Sequence, residues 1–113
     1  MEKIYNLEER TFQFAKYCRS FVNQLPRTIS NIEDAKQLVR SSGSIGANYI
    51  EANEKLGDKD FQFRLKIARK EAKETIFWLR LIQEENPALS FDSTKLIAEA
   101  NELRKILSSI LNK

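Results

Sequence analysis

The chain has 113 residues, 42% hydrophobic and 31% charged, with three Gly and two Pro, which predicts a single folded helical domain, residues 1–113, rather than a disordered chain. Its 19 basic and 16 acidic side chains give a formal net charge of +3, a mildly basic balance that does not by itself imply a polyanionic partner. There is no histidine and one cysteine, which excludes an intramolecular disulfide, removes the commonest general base and metal ligand, and disfavours an enzyme.

The first helix is predicted over about residues 7–25. Asn6 is its expected N-cap, with Glu9 three residues later as in a capping box, and Pro26 ends it because the proline ring clashes with a continuing turn. Its apolar stripe recurs at spacings of three, four or seven and comprises Leu7, Phe14, Cys18, Phe21 and Leu25. We interpret Cys18 as a buried small hydrophobe rather than a nucleophile.

The second helix is predicted over residues 31–56, with Ser30 as its N-cap in an S-x-x-E pattern that ends at Glu33. Gly57 is expected to terminate it in a left-handed conformation. The apolar seam keeps its phase across the small residues 41–47 and comprises Ala35, Leu38, Ser42, Ile45, Tyr49, Ala52 and Leu56. A flexible Gly/Ser linker has no reason to preserve that phase, so the small residues predict a close helix–helix contact.

The third helix is predicted over residues 59–85 and carries two apolar rows. The row expected to face the core comprises Phe61, Leu65, Ala68, Ala72, Ile76 and Leu79. The other row lies roughly on the far side at 100° per residue and comprises Phe63, Ile67, Phe77 and Leu81, with Trp78 beside it. One bundle core cannot bury both rows, so Phe63, Phe77 and Trp78 are predicted to form a contact between subunits.

The fourth helix is predicted over residues 93–111, and Asn86-Pro87 separates it from the third. The caps of these two helices are predicted at Asp58 or Asp60 and at Asp92. The stripe of the fourth helix comprises Leu96, Ala100, Leu103, Leu107 and Ile110. Because the connections are short and no segment alternates like a strand, the sequence predicts an all-α fold, an antiparallel up-down-up-down four-helix bundle.

Basic side chains of the third helix recur with the helical repeat. The set that shares one face or its edge is Lys59, Lys66, Arg69, Lys70, Lys73 and Arg80. Such a stripe can follow a phosphate backbone, and its field would add up if several subunits placed it around one surface. The alternative is an ordinary solvated, lysine-rich helix face.

No catalytic or metal site is predicted. Gly43-Ser-Ile-Gly46 is not a phosphate-binding loop, because no Gly-Lys-Ser/Thr follows it. Four glutamates on the two central helices resemble a carboxylate metal site only in part, because the Glu-x-x-His partner is missing; they are Glu51, Glu54, Glu71 and Glu74. We interpret them as solvated charges that pair along the helices, and we expect no cofactor.

Two segments resemble a known family. Residues 40–52, Arg-Ser-Ser-Gly-Ser-Ile-Gly-Ala-Asn-Tyr-Ile-Glu-Ala, precede a Phe-rich helix start and an Ile-Ala-x-x-Glu-x-x-Glu-Thr segment. This pattern resembles the bacterial four-helix bundle proteins encoded in intervening sequences of 23S ribosomal RNA genes. The positions that match the family motif are Arg40, Ser44, Asn48 and Glu51. We interpret Arg40, Asn48 and Glu51 as forming hydrogen bonds between helices or subunits, and a ligand or nucleotide site is the alternative.

The resemblance implies a four-helix bundle that assembles into a ring-like homopentamer, with no established enzymatic activity. A related accessory protein of diversity-generating retroelements shares the architecture and binds nucleic acids through a basic surface. We therefore predict a non-enzymatic homo-oligomer that binds RNA or DNA non-specifically through the basic surfaces of its ring. The alternative is a structural or adaptor protein that binds another protein through the exposed apolar helix face.

The sequence also carries an expectation about location. The N-terminus lacks a basic flank followed by an apolar run, and there is no stretch of about 18 apolar residues, as signal peptides and membrane-spanning helices require. A cytoplasmic protein without membrane contact is therefore expected.

Overall fold

The computed structural model describes residues 6–54 and 56–113; residues 1–5 of the predicted domain and Lys55 of the predicted second helix lie outside the described residues. The chain forms four long helices and one short 3₁₀ turn: α1, Leu7–Val22; α2, Ile29–Asn53; α3, Asp58–Glu85; the turn, Pro87–Leu89; and α4, Ser90–Leu111. No strand occurs among these residues, which confirms the predicted all-α class. No helix in the described part of the chain is long and apolar enough to cross a membrane.

Contacts between helix ends show that neighbouring helices run antiparallel. Near the start of α2 and the end of α3, the side-chain amides of Asn31 and Asn86 exchange two hydrogen bonds of 2.9 Å. At the other end of α2, Asn53 donates a 2.7 Å hydrogen bond to Glu8 in the first turn of α1. Because α1 also packs against α4, the four helices close into a bundle.

The predicted stripes of the four helices form the core. The fully or nearly buried apolar residues are Phe14, Cys18, Phe21, Leu25, Leu38, Ile45, Ala52, Leu65, Ala68, Ala72, Leu79, Ile82, Leu96, Ala100, Leu103 and Leu107. Burial of this apolar surface is the main favourable contribution to folding. The sequence spacing of three and four therefore located every one of these core residues except Ile82, which the predicted row of α3 omitted.

The small-residue stretch is continuous helix, as its preserved phase predicts. Ser41, Ser42 and Gly46 are buried within α2. A Cβ atom placed on Gly46 would lie 2.8 Å from Oγ1 of Thr11, which is closer than ordinary packing permits. Gly46 therefore allows α1 to approach the backbone of α2, and the prediction of a close helix contact is confirmed.

Two features of α1 and α2 differ from the prediction, namely the end of α1 and the N-cap of α2. Asn6 caps α1 as expected, since its Oδ1 accepts from the amides of Glu8 and Glu9. However, α1 ends at Val22 with Asn23 as its C-cap, because the amides of Gln24 and Leu25 bond to carbonyls only three residues back. The cap of α2 is Thr28 rather than Ser30: Thr28 Oγ1 accepts a 3.1 Å hydrogen bond from the Asn31 amide.

The junction between α2 and α3 corrects two further predictions. Helix α2 ends at Asn53, so Leu56 lies beyond the helix, is 81% exposed and takes no part in the apolar seam. Gly57 has φ 141° and ψ 164°, a conformation that favours glycine but is extended rather than left-handed helical. Gly57 occupies the N-cap position of α3, so it introduces that helix instead of terminating α2.

The predicted aspartate caps are wrong for both later helices. Asp58 and Asp60 lie in the first turn of α3 and make no capping hydrogen bond, although their charge complements the helix dipole there. Asp92 lies in the first turn of α4, which begins at Ser90. The reason is the 3₁₀ turn, which carries the chain directly into α4 two residues before the predicted cap.

Candidate nucleic-acid interface

A basic depression of about 380 Å³ lies between α3 and α4. The residues that line it are Lys66, Arg69, Lys70, Lys73, Arg104 and Ser108. The first four recur at three- and four-residue spacings along α3, which places them on adjoining faces of one helix. Within the described chain, no acidic side chain contributes to this lining. The depression therefore concentrates positive charge that has no local counterion.

Helix α4 supplies the two lining residues that sequence reasoning missed. Arg104 is half-buried, and its Nε and Nη2 each lie 3.3 Å from Oδ1 of Asn101, to which they donate. Across the depression, Nη1 of Arg69 donates to Oγ of Ser108 at 3.5 Å. These contacts orient both guanidinium groups. One feature of the sequence could have indicated Arg104: it directly follows the core residue Leu103, so it is expected beside the apolar stripe of α4.

Two of the six predicted basic residues lie outside the depression. Lys59 precedes Lys66 by seven residues and Arg80 follows Lys73 by seven, a separation of about 10 Å along the axis in each case. Both side chains are exposed. The structure thus brings four predicted residues together and leaves Lys59 and Arg80 as extensions of the same face.

Three acidic side chains of α3 pair with arginines outside the depression. Nη2 of Arg40, on α2, lies 3.7 Å from Oε1 of Glu71 and 3.6 Å from Oε1 of Glu74. Asp60 Oδ1 lies 3.7 Å from Nε of Arg64 on the same helix. Glu71 is nearly buried, so its carboxylate needs the cation that Arg40 supplies. The motif residue Arg40 thereby links α2 to α3, as one of the two interpretations predicted.

The other motif residues do not join this contact or the basic depression. Ser44 Oγ donates to the Arg40 carbonyl at 2.9 Å, and Asn48 Nδ2 donates to the Ser44 carbonyl at 2.9 Å. Both are bonds along α2 itself, whereas hydrogen bonding between helices or subunits was predicted for Asn48. Glu51 is exposed on the same helix. The motif therefore does not converge into one site within the described structure.

The second apolar row of α3 lies outside the core, as predicted. Phe63 is 58% exposed and Phe77 is 53% exposed. Trp78 differs, because it is half-buried, packs against the core and meets Phe77 edge-on with ring centroids 5.1 Å apart. The proposed role of these residues in a subunit contact stays a prediction.

Cys18 is buried in the core, which confirms its interpretation as a small hydrophobe. Burial raises the pKa of its thiol from 9.0 to about 12, against a smaller lowering by a hydrogen bond with Ser42. The thiol therefore stays protonated near neutral pH and is a poor nucleophile. Among the residues described, no group of three or more His, Cys, Asp or Glu side chains is placed to hold a metal ion.

Comparisons with known proteins support the resemblance drawn from the motifs. A family model described as 23S rRNA-intervening sequence protein matches residues 4–109. The crystal structure of a protein with unknown function from the S23 ribosomal protein family, from Bacteroides thetaiotaomicron, superimposes with a TM-score of 0.83 at 29% identity, over 94% of this chain and 95% of that one. No curated protein matches. The likeness thus extends over all four helices.

Proposed function

Because the chain belongs to the 23S rRNA-intervening sequence protein family, we propose that it acts by binding nucleic acid, RNA or DNA, rather than by catalysis. The solved relative has unknown function, so the proposal draws on the geometry of this chain. The observation that carries it is the depression between α3 and α4, lined by five basic side chains and one hydroxyl group.

The composition of the depression suits phosphate groups. Lysines supply mobile point charges, whereas arginines present fixed forks of N–H donors that match phosphate oxygens. Arg69 and Arg104 are already held by Ser108 and Asn101, so little side-chain freedom remains to be lost on binding. Binding through phosphates releases counterions and carries little sequence information. We therefore expect strong salt dependence and weak sequence preference.

We further propose that the protein is a homo-oligomer, for which the family resemblance implies a ring of five copies. Exposed apolar side chains support an assembly. A groove of about 450 Å³ between α1 and α2 is edged by Phe12 and Ile50, which are 61% and 47% exposed, and Phe63 and Phe77 lie on α3. A head-to-tail ring requires two different patches, and repeated copies would sum their basic fields.

A second candidate function is that of an adaptor that binds another protein. The exposure of Phe63 and Phe77, with Trp78 beside Phe77, favours it, because large exposed aromatics often mark protein contacts. Affinity purification that yields one stoichiometric protein partner and no nucleic acid would support this function over nucleic-acid binding.

The test of the main proposal is fluorescence-anisotropy binding of labelled duplex DNA, single-stranded DNA and structured RNA at several salt concentrations. The variant Lys66→Glu/Lys70→Glu/Lys73→Glu should lose binding while its mass by light scattering stays that of the wild type. The matched control, Arg27→Glu/Lys36→Glu/Lys95→Glu, changes the net charge equally at exposed positions that line neither the depression nor the α1–α2 groove. Absence of wild-type binding at low salt, or equal loss in the control, would contradict the proposal.

A further inference from the structure

Two exposed aromatic side chains lie on the same stripe of α3 as the lysines of the depression. At alternating spacings of four and three residues, the stripe comprises Lys59, Phe63, Lys66, Lys70, Lys73, Phe77 and Arg80. Such spacing keeps residues on one face of a helix, and all seven side chains are exposed. One aromatic ring thus stands at each end of the three central lysines.

We infer that this stripe binds a single strand of nucleic acid, with Phe63 and Phe77 stacking on unpaired bases. Lys66, Lys70 and Lys73 contact the phosphates between them, joined by the guanidinium groups of the depression. This inference rests on the proposed nucleic-acid binding and names its substrate. Aromatic side chains alternating with cations are the general means of binding single strands, because every unpaired base offers a π-face. In a duplex those faces are hidden in the stack.

Charge favours a nucleic-acid strand over a protein as the occupant of this stripe. A subunit or adaptor that covered Phe63 and Phe77 would also remove water from the lysines between them, at a high cost unless each gained an anion. A polynucleotide brings a phosphate with every base. Glu74, four residues after Lys70, is already paired with Arg40 on α2. A head-to-tail subunit contact would then use the α1–α2 groove and a different exposed apolar side chain, such as Phe91, which is 71% exposed.

The dimensions also fit a short strand. Phe63 and Phe77 are separated by 14 residues, or about 21 Å of helix. A stacked strand rises about 3.4 Å per nucleotide, so roughly six nucleotides cover that distance and an extended strand needs fewer. An oligonucleotide of about ten residues therefore reaches both rings and all the cations between them.

The test compares three forms of the full chain: wild type, Phe63→Leu/Phe77→Leu and Phe63→Trp/Phe77→Trp. Leucine keeps apolar bulk for a protein contact but has no π-face, whereas tryptophan restores the π-face. The probes are labelled oligo(rU) and oligo(dT) of about ten nucleotides and a duplex of the same length, titrated at several salt concentrations. Since both single strands carry bases, stacking predicts a loss with each of them.

For single strands, we expect the leucine pair to weaken binding by roughly five- to a hundredfold per ring and the tryptophan pair to restore it. The log–log salt slope, about −3.5 for five phosphate contacts to a single strand, should be the same in all three forms, and duplex affinity should not change. Wild-type affinity for the leucine pair would overturn the inference and leave nucleic-acid binding intact. Loss of assembly mass in the leucine pair would reassign the rings to a subunit contact and overturn it.

A lysine variant distinguishes failure of the stacking inference from failure of the proposed nucleic-acid binding. If no probe binds the wild type at low salt, both proposals fall together. If single strands and duplex bind equally, and Lys66→Gln/Lys70→Gln/Lys73→Gln flattens both salt slopes by about 0.7 to 0.9 for each phosphate that is no longer neutralised, the basic face is confirmed as a phosphate site. The aromatic assignment alone is then overturned.

Discussion

The two flanks of α3 use charge in opposite ways. On the flank toward α2, Arg40 neutralises Glu71 and Glu74 within 3.7 Å, and Thr75 donates a 2.9 Å hydrogen bond to buried Ser41. On the flank toward α4, five of the six lining residues of the depression are cations, and none of the lining residues that the structure describes is acidic. The field of a paired charge is largely cancelled by its partner, whereas unpaired like charges project a field into solvent. The first flank therefore holds the bundle together, and the second is available to a ligand.

The largest expected difference between the flanks is in nucleic-acid affinity. Charge reversal on the open flank, Lys66→Glu/Lys70→Glu/Lys73→Glu, should reduce affinity by about a hundredfold or more at moderate salt, because several phosphate contacts become repulsive. Its free energy of unfolding should change by less than about 1 kcal/mol, as exposed substitutions usually do. Anisotropy titration and urea denaturation of the same samples measure both effects. A large loss of stability without loss of affinity would reverse the assignment of the flanks.

The closed flank should show the opposite pattern when its carboxylate is reversed. Glu71→Lys places a cation next to Arg40 at a position with 9% exposure, so the free energy of unfolding should fall by about 2–3 kcal/mol. Affinity per folded molecule should stay within about twofold, since the depression is on the other side of the helix. Glu71→Gln, which keeps the shape, is the control and should lose less. Equal stability of the lysine variant would show that Arg40 and Glu71 are not coupled.

The two glycines of α2 differ in how closely a neighbouring side chain approaches them. A Cβ on Gly46 meets Thr11 at 2.8 Å, whereas a Cβ on Gly43 meets only the end of the Arg19 side chain, at 3.3 Å. Gly46→Ala should therefore destabilise the fold by about 1–2 kcal/mol. Gly43→Ala should stabilise it by up to about 1 kcal/mol, because alanine favours helix and Arg19 can move. Thermal and urea unfolding of the two variants measure this difference, and equal shifts would contradict it.

Core residues were predictable because helical burial has a local period. Once Leu38, Ile45 and Ala52 are placed on one face, the small residues between them follow, so the continuous α2 could be foreseen. Helix caps were less predictable. Thr28 and Ser30 carry equally suitable hydroxyl groups, and the loop selects Thr28: Asn31 Nδ2 donates to the Pro26 carbonyl at 2.9 Å. That choice depends on contacts far apart in sequence, including the partner Asn86.

The residues of the candidate site could be predicted from the sequence only where they lie on the same helix. Lys66, Lys70 and Lys73 share a face by spacing alone, and so do the aromatics beside them. Arg104 could not be placed in the same way, because its meeting with Arg69 depends on how the faces of α3 and α4 pair. The same limit applies to Arg40. Its motif position was visible in the sequence, but its carboxylate partners are on another helix.

The smallest expected effect comes from Cys18 of α1, which lies against Ser42 of α2. Burial raises the pKa of the thiol from 9.0 to about 12. The unfolded chain therefore releases the proton at lower pH than the folded one. The stabilising contribution is present in full below about pH 9 and is lost as pH rises toward 12, by about 1.4 kcal/mol per pH unit.

The measurement is the pH dependence of urea unfolding for wild type and Cys18→Ala. Other groups titrate in the same window, so the signal is the difference between the two proteins. This difference should be constant from pH 6 to 8 and should shrink by about 1.4 kcal/mol by pH 10. Folded wild type should also resist thiol reagents at pH 8 and react on unfolding. A constant difference, or rapid labelling of the folded protein, would show that α1 opens readily, which the tight contact at Gly46 argues against.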